Sequence, residues 1–346
     1  MNVVVSAIVD PWVTTLSFVV ALAMRIQASL QNVLPIILII VLGYVLRKIN
    51  WLNETFAGQA SKLIMNVALP ASIFVAVLKN LSLNQLLQLG PSVLIAAISF
   101  TLSYVVGFLV INVFRVQPGR RGLMLNTFAN ANTIFIGMPL NLALFGEHAV
   151  PYFLVYYIMN TISTWAIGIF FIYGDPMPTE NDGEKNNAAE HKFNISKLLP
   201  PPLLGFLVAL VFLVFNIPVP AVVNTGLTYL GNLVTPLSLI YIGIILQETG
   251  LSSIRIDRDT AITLIGKFVI APLIMVGVIM AFTGVFGTQN VLETRTFIIQ
   301  AAVPALTVLP ILANEGKADV KFATNVVATS TVLFAIVIPI VMTIIG

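Results

Sequence analysis

Residues 126–146 read NTFANANTIFIGMPLNLALFG, and this stretch decides how the rest of the chain is interpreted. It is as apolar as a membrane-spanning helix, yet Asn126, Asn130 and Asn132 lie in its first third. An amide side chain in hydrocarbon needs a hydrogen-bond partner, and lipid does not supply one. The asparagines therefore indicate either hydrogen bonds to neighbouring helices or a polar binding site in the middle of a membrane.

A glycine and a proline in the same stretch favour the binding site. Gly137 and Pro139 interrupt the apolar run, and neither residue type suits an unbroken helix. A second apolar stretch, QAAVPALTVLPILAN at residues 300–314, contains Pro304 and Pro310. Two interrupted spans in corresponding places of two halves are typical of carriers built from inverted repeats.

Composition limits the class of protein. The chain has 346 residues, of which 58% are hydrophobic and only 9% are charged, whereas a soluble domain carries about 25% charged residues. This composition predicts an all-α membrane protein. The chain has no cysteine, and its apolar segments hold no phosphate-binding loop, metal-ligand cluster or carboxylate pair. We therefore expect no enzyme activity, no catalytic residue, no metal and no other cofactor.

From residue 31 onward the sequence predicts ten membrane-spanning helices of about 20 residues or more. The predicted spans are residues 31–48, 56–79, 89–114, 121–145, 149–174, 197–215, 221–247, 258–283, 294–314 and 319–345. Before them lies an apolar N-terminal extension, residues 1–28, and between the fifth and sixth spans lies a polar linker, residues 175–196. Most Lys and Arg residues fall in short loops on one side, which predicts a cytoplasmic linker and no nucleic-acid partner.

Lys267 is the one cation well inside a predicted span. A charge within the membrane points to function by default. This lysine, however, lies about two turns from the predicted cytoplasmic end of its helix, and a long side chain reaches the interface from there. The sequence favours a lysine that extends to the cytoplasmic surface.

Three pairs of residues share one offset of 166 positions along the chain. The pairs are Pro35 with Pro201, Asn66 with Asn232, and Pro70 with Pro236. Each half then has five spans, and because five is an odd number the second half crosses the membrane in the opposite direction. The sequence therefore predicts two inverted repeats, residues 29–174 and 197–346, whose broken fourth and ninth helices meet near the midplane.

Five segments resemble the auxin efflux carrier family in order and spacing. They are VLPIILIIVLGYVLRK, NVALPASIF, NTIFIGMPLNLALFG, YLGNLVTPLSLIYIGIIL and AAVPALTVLPILAN. The resemblance covers about residue 30 to the end of the chain, and it implies ten helices with the fourth and ninth crossing in an X. It also implies that spans three to five and eight to ten move like an elevator against a dimeric scaffold of spans one, two, six and seven.

The resemblance further implies a function. Bacterial members of the family mostly move small organic anions such as malate or malonate, and the bile acid sodium symporters are distant relatives with the same architecture. We therefore expect a secondary active transporter for a malate-like dicarboxylate, forming a homodimer in a bacterial plasma membrane. A transporter-shaped sensor or receptor and a sodium-coupled organic anion symporter are the alternatives.

The same resemblance places the crossover at Ala131–Thr133 and Pro304–Ala305. The predicted substrate-binding residues are Asn130, Asn132, Thr133, Asn160, Gln300, Pro304 and Ala305. The predicted structural hinges are Gly137, Pro139, Pro310, Asn66, Pro70, Asn232 and Pro236. Sodium-binding relatives carry an acidic residue in the ninth helix, whereas residues 300–303 of this chain are uncharged, so we expect no strict sodium requirement.

Overall fold

The computed structural model describes residues 34–53, 55–84, 89–178, 201–249, 254–287 and 289–345. The predicted extension at residues 1–28 and most of the predicted linker, residues 179–196, lie outside the described residues. The described part of the chain is helical and contains no strand, which agrees with the predicted all-α class.

The helices are labelled in chain order. They are α1 (34–48), α2 (Phe56–Asn80), α3 (Gly90–Phe114), α4 (Arg121–Ala129), α5 (Met138–Phe145), α6 (Glu147–Tyr173), α7 (Pro201–Val214), α8 (Ala221–Glu248), α9 (Arg258–Val285), α10 (Val291–Ala301), α11 (Leu309–Glu315) and α12 (Val320–Ile345).

Seven segments of the described chain are long and apolar enough to cross a membrane: α2, α3, the α4–α5 segment, α6, α8, α9 and α12. This confirms a multi-pass membrane protein. The helix α7 is apolar but shorter, and α10 and α11 are separated by a non-helical stretch. The arrangement of ten spans in two inverted repeats therefore stays a prediction.

Prolines explain most of the irregular turns in these helices. A π-helical turn at Ile64–Ala68 in α2 comes just before Pro70, and a similar turn at Gly266–Ile270 in α9 comes just before Pro272. Proline has no N–H to donate, so a wider turn before it accommodates the missing hydrogen bond. In α2 the amide of Asn66 also donates to the carbonyl of Lys62 at 2.8 Å.

The matching position in α8 has a different local structure. Its first part ends at Gly231, Asn232 and Leu233 form a turn, and the helix resumes at Val234 just before Pro236. The two asparagines that share the offset of 166 positions therefore lie in a π-helical turn in one case and in a true interruption in the other.

One group of helices packs through very small residues. The helices α7 and α8 both pack on α2, with Gly205 against Pro70 and Gly231 against Ser72. The helix α1 lies against α8 so closely that a Cβ atom at Gly43 would overlap the backbone of Ile240. Small residues allow such backbone contact between membrane helices. We call α1, α2, α7 and α8 the scaffold group.

The remaining helices form a second group, the core group, in which α3 packs on α4, α6 and α9, and α10 packs on α6 and α9. The largest apolar cluster includes Phe100, Phe128, Tyr156 and Phe297 of this group, all of them buried, and it continues to buried residues of α1 and α8. The two groups touch where α8 meets α5 and α12, and where α2 meets α6. At one of these contacts the Phe135 and Tyr241 rings lie 4.7 Å apart.

An ion-pair cluster joins three helices of the core group at one end. Arg120, just before α4, lies 2.8 Å from Asp257, before α9, and 2.8 Å from Asp319, before α12. Burial raises the pKa of Asp257, but hydrogen bonds from Thr260 and Arg120 and the charge of Arg120 outweigh this effect, so the pKa lies below its ordinary value. The carboxylate therefore stays ionised at neutral pH.

Candidate functional site

The first helix interruption lies at three residues. The helix α4 ends at Ala129, and Asn130 is extended, with φ −105° and ψ 158°. Asn132 has φ −74° and ψ 67°, and helical structure resumes at Thr133 as a π-helical turn that leads into α5. The polar residues, rather than the downstream glycine and proline, thus mark the break.

The second interruption meets the first. The helix α10 ends at Ala301, and α11 begins at Leu309 with Pro310 in its first turn. In the connection between α10 and α11, the carbonyl of Pro304 accepts a hydrogen bond from the backbone N–H of Asn132 at 2.9 Å. The next residue, Ala305, donates its N–H to the Ser330 hydroxyl of α12 at 3.3 Å. The two interrupted segments, 126 to 146 and 300 to 314, are therefore in direct backbone contact.

Asn160 of α6 holds the first interruption in place. Its Oδ1 accepts from the N–H of Ala131 at 2.8 Å, and its Nδ2 donates to the Ala131 carbonyl at 3.1 Å and to the Thr133 hydroxyl at 3.3 Å. The amide thus replaces the hydrogen bonds that an unbroken helix would give this backbone. All these bonds are internal, so Asn160 fixes the backbone of the interruption.

Asn132 combines a cap with a free donor. Its Oδ1 accepts from the N–H of Phe135 at 3.2 Å, which is the bond of an N-cap residue. Its Nδ2 is buried and makes no hydrogen bond within the described residues. The cap therefore uses only the oxygen of the side chain and leaves its nitrogen open.

Gln300 joins α10 to the other broken segment. Its Nε2 donates to the carbonyl of Gly137 at 3.0 Å, and its Oε1 is buried without a partner in the described chain. A Cβ atom at residue 137 would overlap that Oε1. Gly137 is thus needed for close approach, and helical structure continues through it and through Pro139. The expectation that these two residues interrupt the helix differs from the structure, because the π-helical turn accommodates the proline.

Lys267 corrects the interpretation drawn from the sequence. Its side chain is 0% exposed, and its ammonium donates to the carbonyl of Asn130 at 2.9 Å. The lysine therefore points to the helix interruption and does not extend to the cytoplasmic surface. Gly266 makes this possible, since a Cβ atom there would overlap the ring of Phe128 on α4. A carbonyl at the end of a helix carries partial negative charge and attracts a cation.

A tyrosine completes the surroundings of the first interruption. The Nδ2 of Asn130 donates to the Tyr104 hydroxyl of α3 at 2.9 Å, and that hydroxyl lies 3.0 Å from the Ser163 hydroxyl of α6. The Oδ1 of Asn130 is buried and makes no hydrogen bond to the described residues. The segment is thus held by side chains from α3, α6 and α9.

A small cavity lies beside the facing ends of α4 and α10. Its lining residues are Ser99, Phe100, Ser103, Ala129, Tyr156, Ala271, Met275 and Ala301. Its volume is about 10 Å³, which holds one water molecule, and neither Asn132 nor Gln300 lines it. Across the described ranges, no cluster of three or more His, Cys, Asp or Glu side chains offers a metal site.

Sequence reasoning missed two parts of this site. It named Lys267 but directed its side chain to the surface, and it did not name Tyr104. The position of Lys267 within an apolar span was the available signal for the first. No sequence signal identified Tyr104, because its contact with Asn130 depends on how α3 packs on α4.

Seven long apolar helices, with two interrupted segments that meet among buried polar side chains, define a multi-pass membrane protein with a polar centre. The profile of the family described as membrane transport protein matches residues 28–342. The chain therefore belongs to this family, the auxin efflux carrier family, as its sequence motifs indicated.

Two archaeal proteins are similar over almost their whole length. An uncharacterised transporter of Methanothermobacter thermautotrophicus is 25% identical over 318 residues, which is 91% of this chain and 98% of the relative. An uncharacterised transporter of Methanocaldococcus jannaschii is 22% identical over 316 residues, which is 88% of this chain and 95% of the relative. The family and these names support a transporter.

Proposed function

We propose that this protein is a secondary active transporter of a small organic anion, with the meeting point of the two interrupted segments as its binding site. One observation carries the proposal: the N–H of Asn132 bonds to the carbonyl of Pro304 at 2.9 Å in a fully buried polar centre. Broken helices that meet within the membrane are the usual construction of a carrier's binding site.

The donors at this point favour an anion. The π-helical turn before α5 begins at Thr133, and the N-terminal end of a helix carries partial positive charge. The free Nδ2 of Asn132 lies at the same end, and the ammonium of Lys267 lies at the other end of the extended segment, on Asn130. A carboxylate suits each end, so the arrangement supports a dicarboxylate of the malate or malonate class.

Of the other predicted binding residues, we propose direct substrate contact for Asn130 and Gln300. Each has an amide oxygen that is buried and without a partner among the described residues, and each oxygen can accept from a substrate hydroxyl. Asn160, Thr133, Pro304 and Ala305 are proposed to maintain the backbone at the crossover, because their polar groups already have partners. Asn160 bonds to the backbone of Ala131 and to Thr133, the Pro304 carbonyl accepts from Asn132, and the Ala305 N–H donates to Ser330.

Elevator-like movement is the proposed transport mechanism. The scaffold group is joined by close backbone contacts, whereas the Arg120 cluster ties α4, α9 and α12 of the core group together. Each group is thus braced internally, and the binding site lies within the core group. We further propose that α8 forms a homodimer contact, because Val222 at its start is 86% exposed. Disulfide formation by Val222→Cys in membranes tests the dimer, and its absence contradicts it.

Counterflow in proteoliposomes tests the transport proposal. Vesicles containing the purified protein and loaded with unlabelled malate should accumulate external radiolabelled malate above protein-free vesicles. Malonate, lactate and an inorganic phosphate control define the substrate class. Binding of malate without counterflow would identify a sensor or receptor instead, and counterflow that disappears when choline replaces sodium would identify a sodium symporter.

A further inference from the structure

The charge on Lys267 has no counter-ion in the described part of the protein. It lies nine residues after Arg258, about 13 Å along the helix from the start of α9, and is 0% exposed. The described chain shows no ion pair to it, and its hydrogen-bond partner there is the neutral carbonyl of Asn130. The described acidic residues of the core group lie at helix ends or in the connections between helices: Glu147, Asp175, Asp257, Asp259, Glu293, Glu315 and Asp319.

Such a charge is costly in a low-dielectric interior. A buried ammonium without a counter-ion loses its hydration, and the protein that relaxes around it replaces only part of it. The carbonyl at the end of α4 offsets part of this cost through its partial negative charge. The rest is recovered when an anion binds next to the lysine, since a buried ion pair with good hydrogen bonds is far better than an isolated charge.

We infer that Lys267 is the direct counter-charge for a substrate carboxylate and that it makes movement of the core group depend on an occupied site. The inference rests on the proposed function and adds its regulation. In an empty core group the ammonium has only the Asn130 carbonyl beside it, whereas in a loaded one it pairs with one substrate carboxylate, and the second carboxylate is held at the helix end by Asn132. The protein therefore exchanges anions across the membrane quickly and returns empty slowly.

Efflux of radiolabelled malate from proteoliposomes tests this. The parent protein is expected to release labelled malate at least tenfold faster into buffer containing unlabelled malate than into malate-free buffer. In Lys267→Gln the affinity for malate should fall roughly ten- to a hundredfold, because a hydrogen bond to a charged group is lost. The ratio of exchange to net efflux should fall toward one, because the empty core group is then uncharged.

Two further variants separate charge from position. Lys267→Arg keeps the charge and should keep a ratio well above one. Lys321→Gln removes an exposed lysine at the start of α12 and should leave both affinity and ratio unchanged.

The outcomes are distinguishable. Equal efflux with and without external malate in the parent protein overturns the inference by itself, even if Lys267→Gln fails to fold. A folded Lys267→Gln variant with unchanged affinity and ratio overturns it as well. If the parent protein neither binds nor exchanges malate or malonate, the proposed function fails and the inference fails with it. If the parent protein and Lys267→Gln exchange malate equally well, the inference about Lys267 is wrong, but the proposed transport function stands.

Discussion

Asn132 and Asn160 are both buried asparagines at the first helix interruption, but they differ in which of their amide atoms have hydrogen-bond partners. Asn160 uses its oxygen and its nitrogen on the backbone of Ala131 and the hydroxyl of Thr133. Asn132 uses its oxygen on the N–H of Phe135 and leaves its nitrogen without a partner among the described residues. A substitution at each position should therefore separate binding from stability.

Asn132→Ala is expected to weaken malate binding about ten- to a hundredfold, because a hydrogen bond from the amide to a carboxylate is lost. Loss of the cap on Phe135 should cost only about 1 kcal/mol of stability. Calorimetry with purified protein measures the first effect, and thermal unfolding measures the second. Asn112→Ala is the control, since that exposed amide bonds to the carbonyl of Phe108 in its own helix. Unchanged malate affinity in a folded Asn132→Ala would place the site elsewhere.

Asn160→Ala should mainly destabilise the protein. It leaves the N–H and the carbonyl of Ala131 buried without these partners, at about 1–3 kcal/mol for each group. The melting temperature should therefore fall further than in Asn132→Ala, when both are measured without ligand. A variant with an unchanged melting temperature and lost malate binding would instead make Asn160 a ligand of the substrate.

At the scale of helices, the Arg120 cluster determines how α4, α9 and α12 are held together at one end. The guanidinium is within 2.8 Å of two carboxylates, and it also lies over the ring of Phe322, 4.9 Å from its centre. The cluster ties the N-terminal ends of these three helices together. This property is what an elevator-like movement requires of the core group.

Arg120→Ala should lower the melting temperature, with a loss of about 2 kcal/mol from the hydrogen bonds to charged partners. Because the pKa of Asp257 is lowered on folding, the stabilisation is present above its unfolded value and is lost as the pH falls through the folded value. The difference between parent and variant should thus be constant between about pH 5 and about pH 8. Arg255 is an exposed arginine in the connection that also contains Asp257, and Arg255→Ala should change the melting temperature little. An equal fall in melting temperature in both variants would show that the Arg120 cluster has no special stabilising role.

Sequence patterns located both interrupted segments, because asparagine clusters and closely spaced prolines rarely occur in an uninterrupted membrane helix. They did not predict that helical structure continues through Gly137 and Pro139 after a π-helical turn, or that Gln300 packs against the glycine. They also did not predict the direction of Lys267. A membrane helix has no polar, water-facing side that would show from the sequence which way it is rotated. The rotation of α9 about its axis depends instead on the contact between Gly266 and Phe128.

At the scale of the whole molecule, one ion pair joins the scaffold group to the core group. Lys79 at the end of α2 lies 2.6 Å from Glu147 at the start of α6. The Lys79 side chain is 63% exposed, so the pair adds little stability. The pair is useful for crosslinking experiments, because it marks a place where the two groups are close in this conformation. A second pair, Arg47 with Glu248 at 2.9 Å, lies entirely within the scaffold group.

The absence of cysteine in the sequence makes crosslinking direct. Lys79→Cys with Glu147→Cys, joined by a short bis-maleimide, should abolish malate counterflow and retain malate binding, because the core group can no longer move. Arg47→Cys with Glu248→Cys should be crosslinked without loss of counterflow. Counterflow that survives complete crosslinking of the first pair would rule out movement between these two groups.

The glycine contacts of the scaffold group also have an evolutionary consequence. Where Gly43 and Gly243 bring α1 and α8 together, each helix rests on the main chain of the other and not on particular side chains. Mutation can then change the lipid-facing residues of both helices freely, as long as they stay apolar, while the glycines themselves cannot be replaced. Among relatives as distant as the two archaeal transporters, the scaffold should therefore diverge faster in sequence than the core group and keep the same shape.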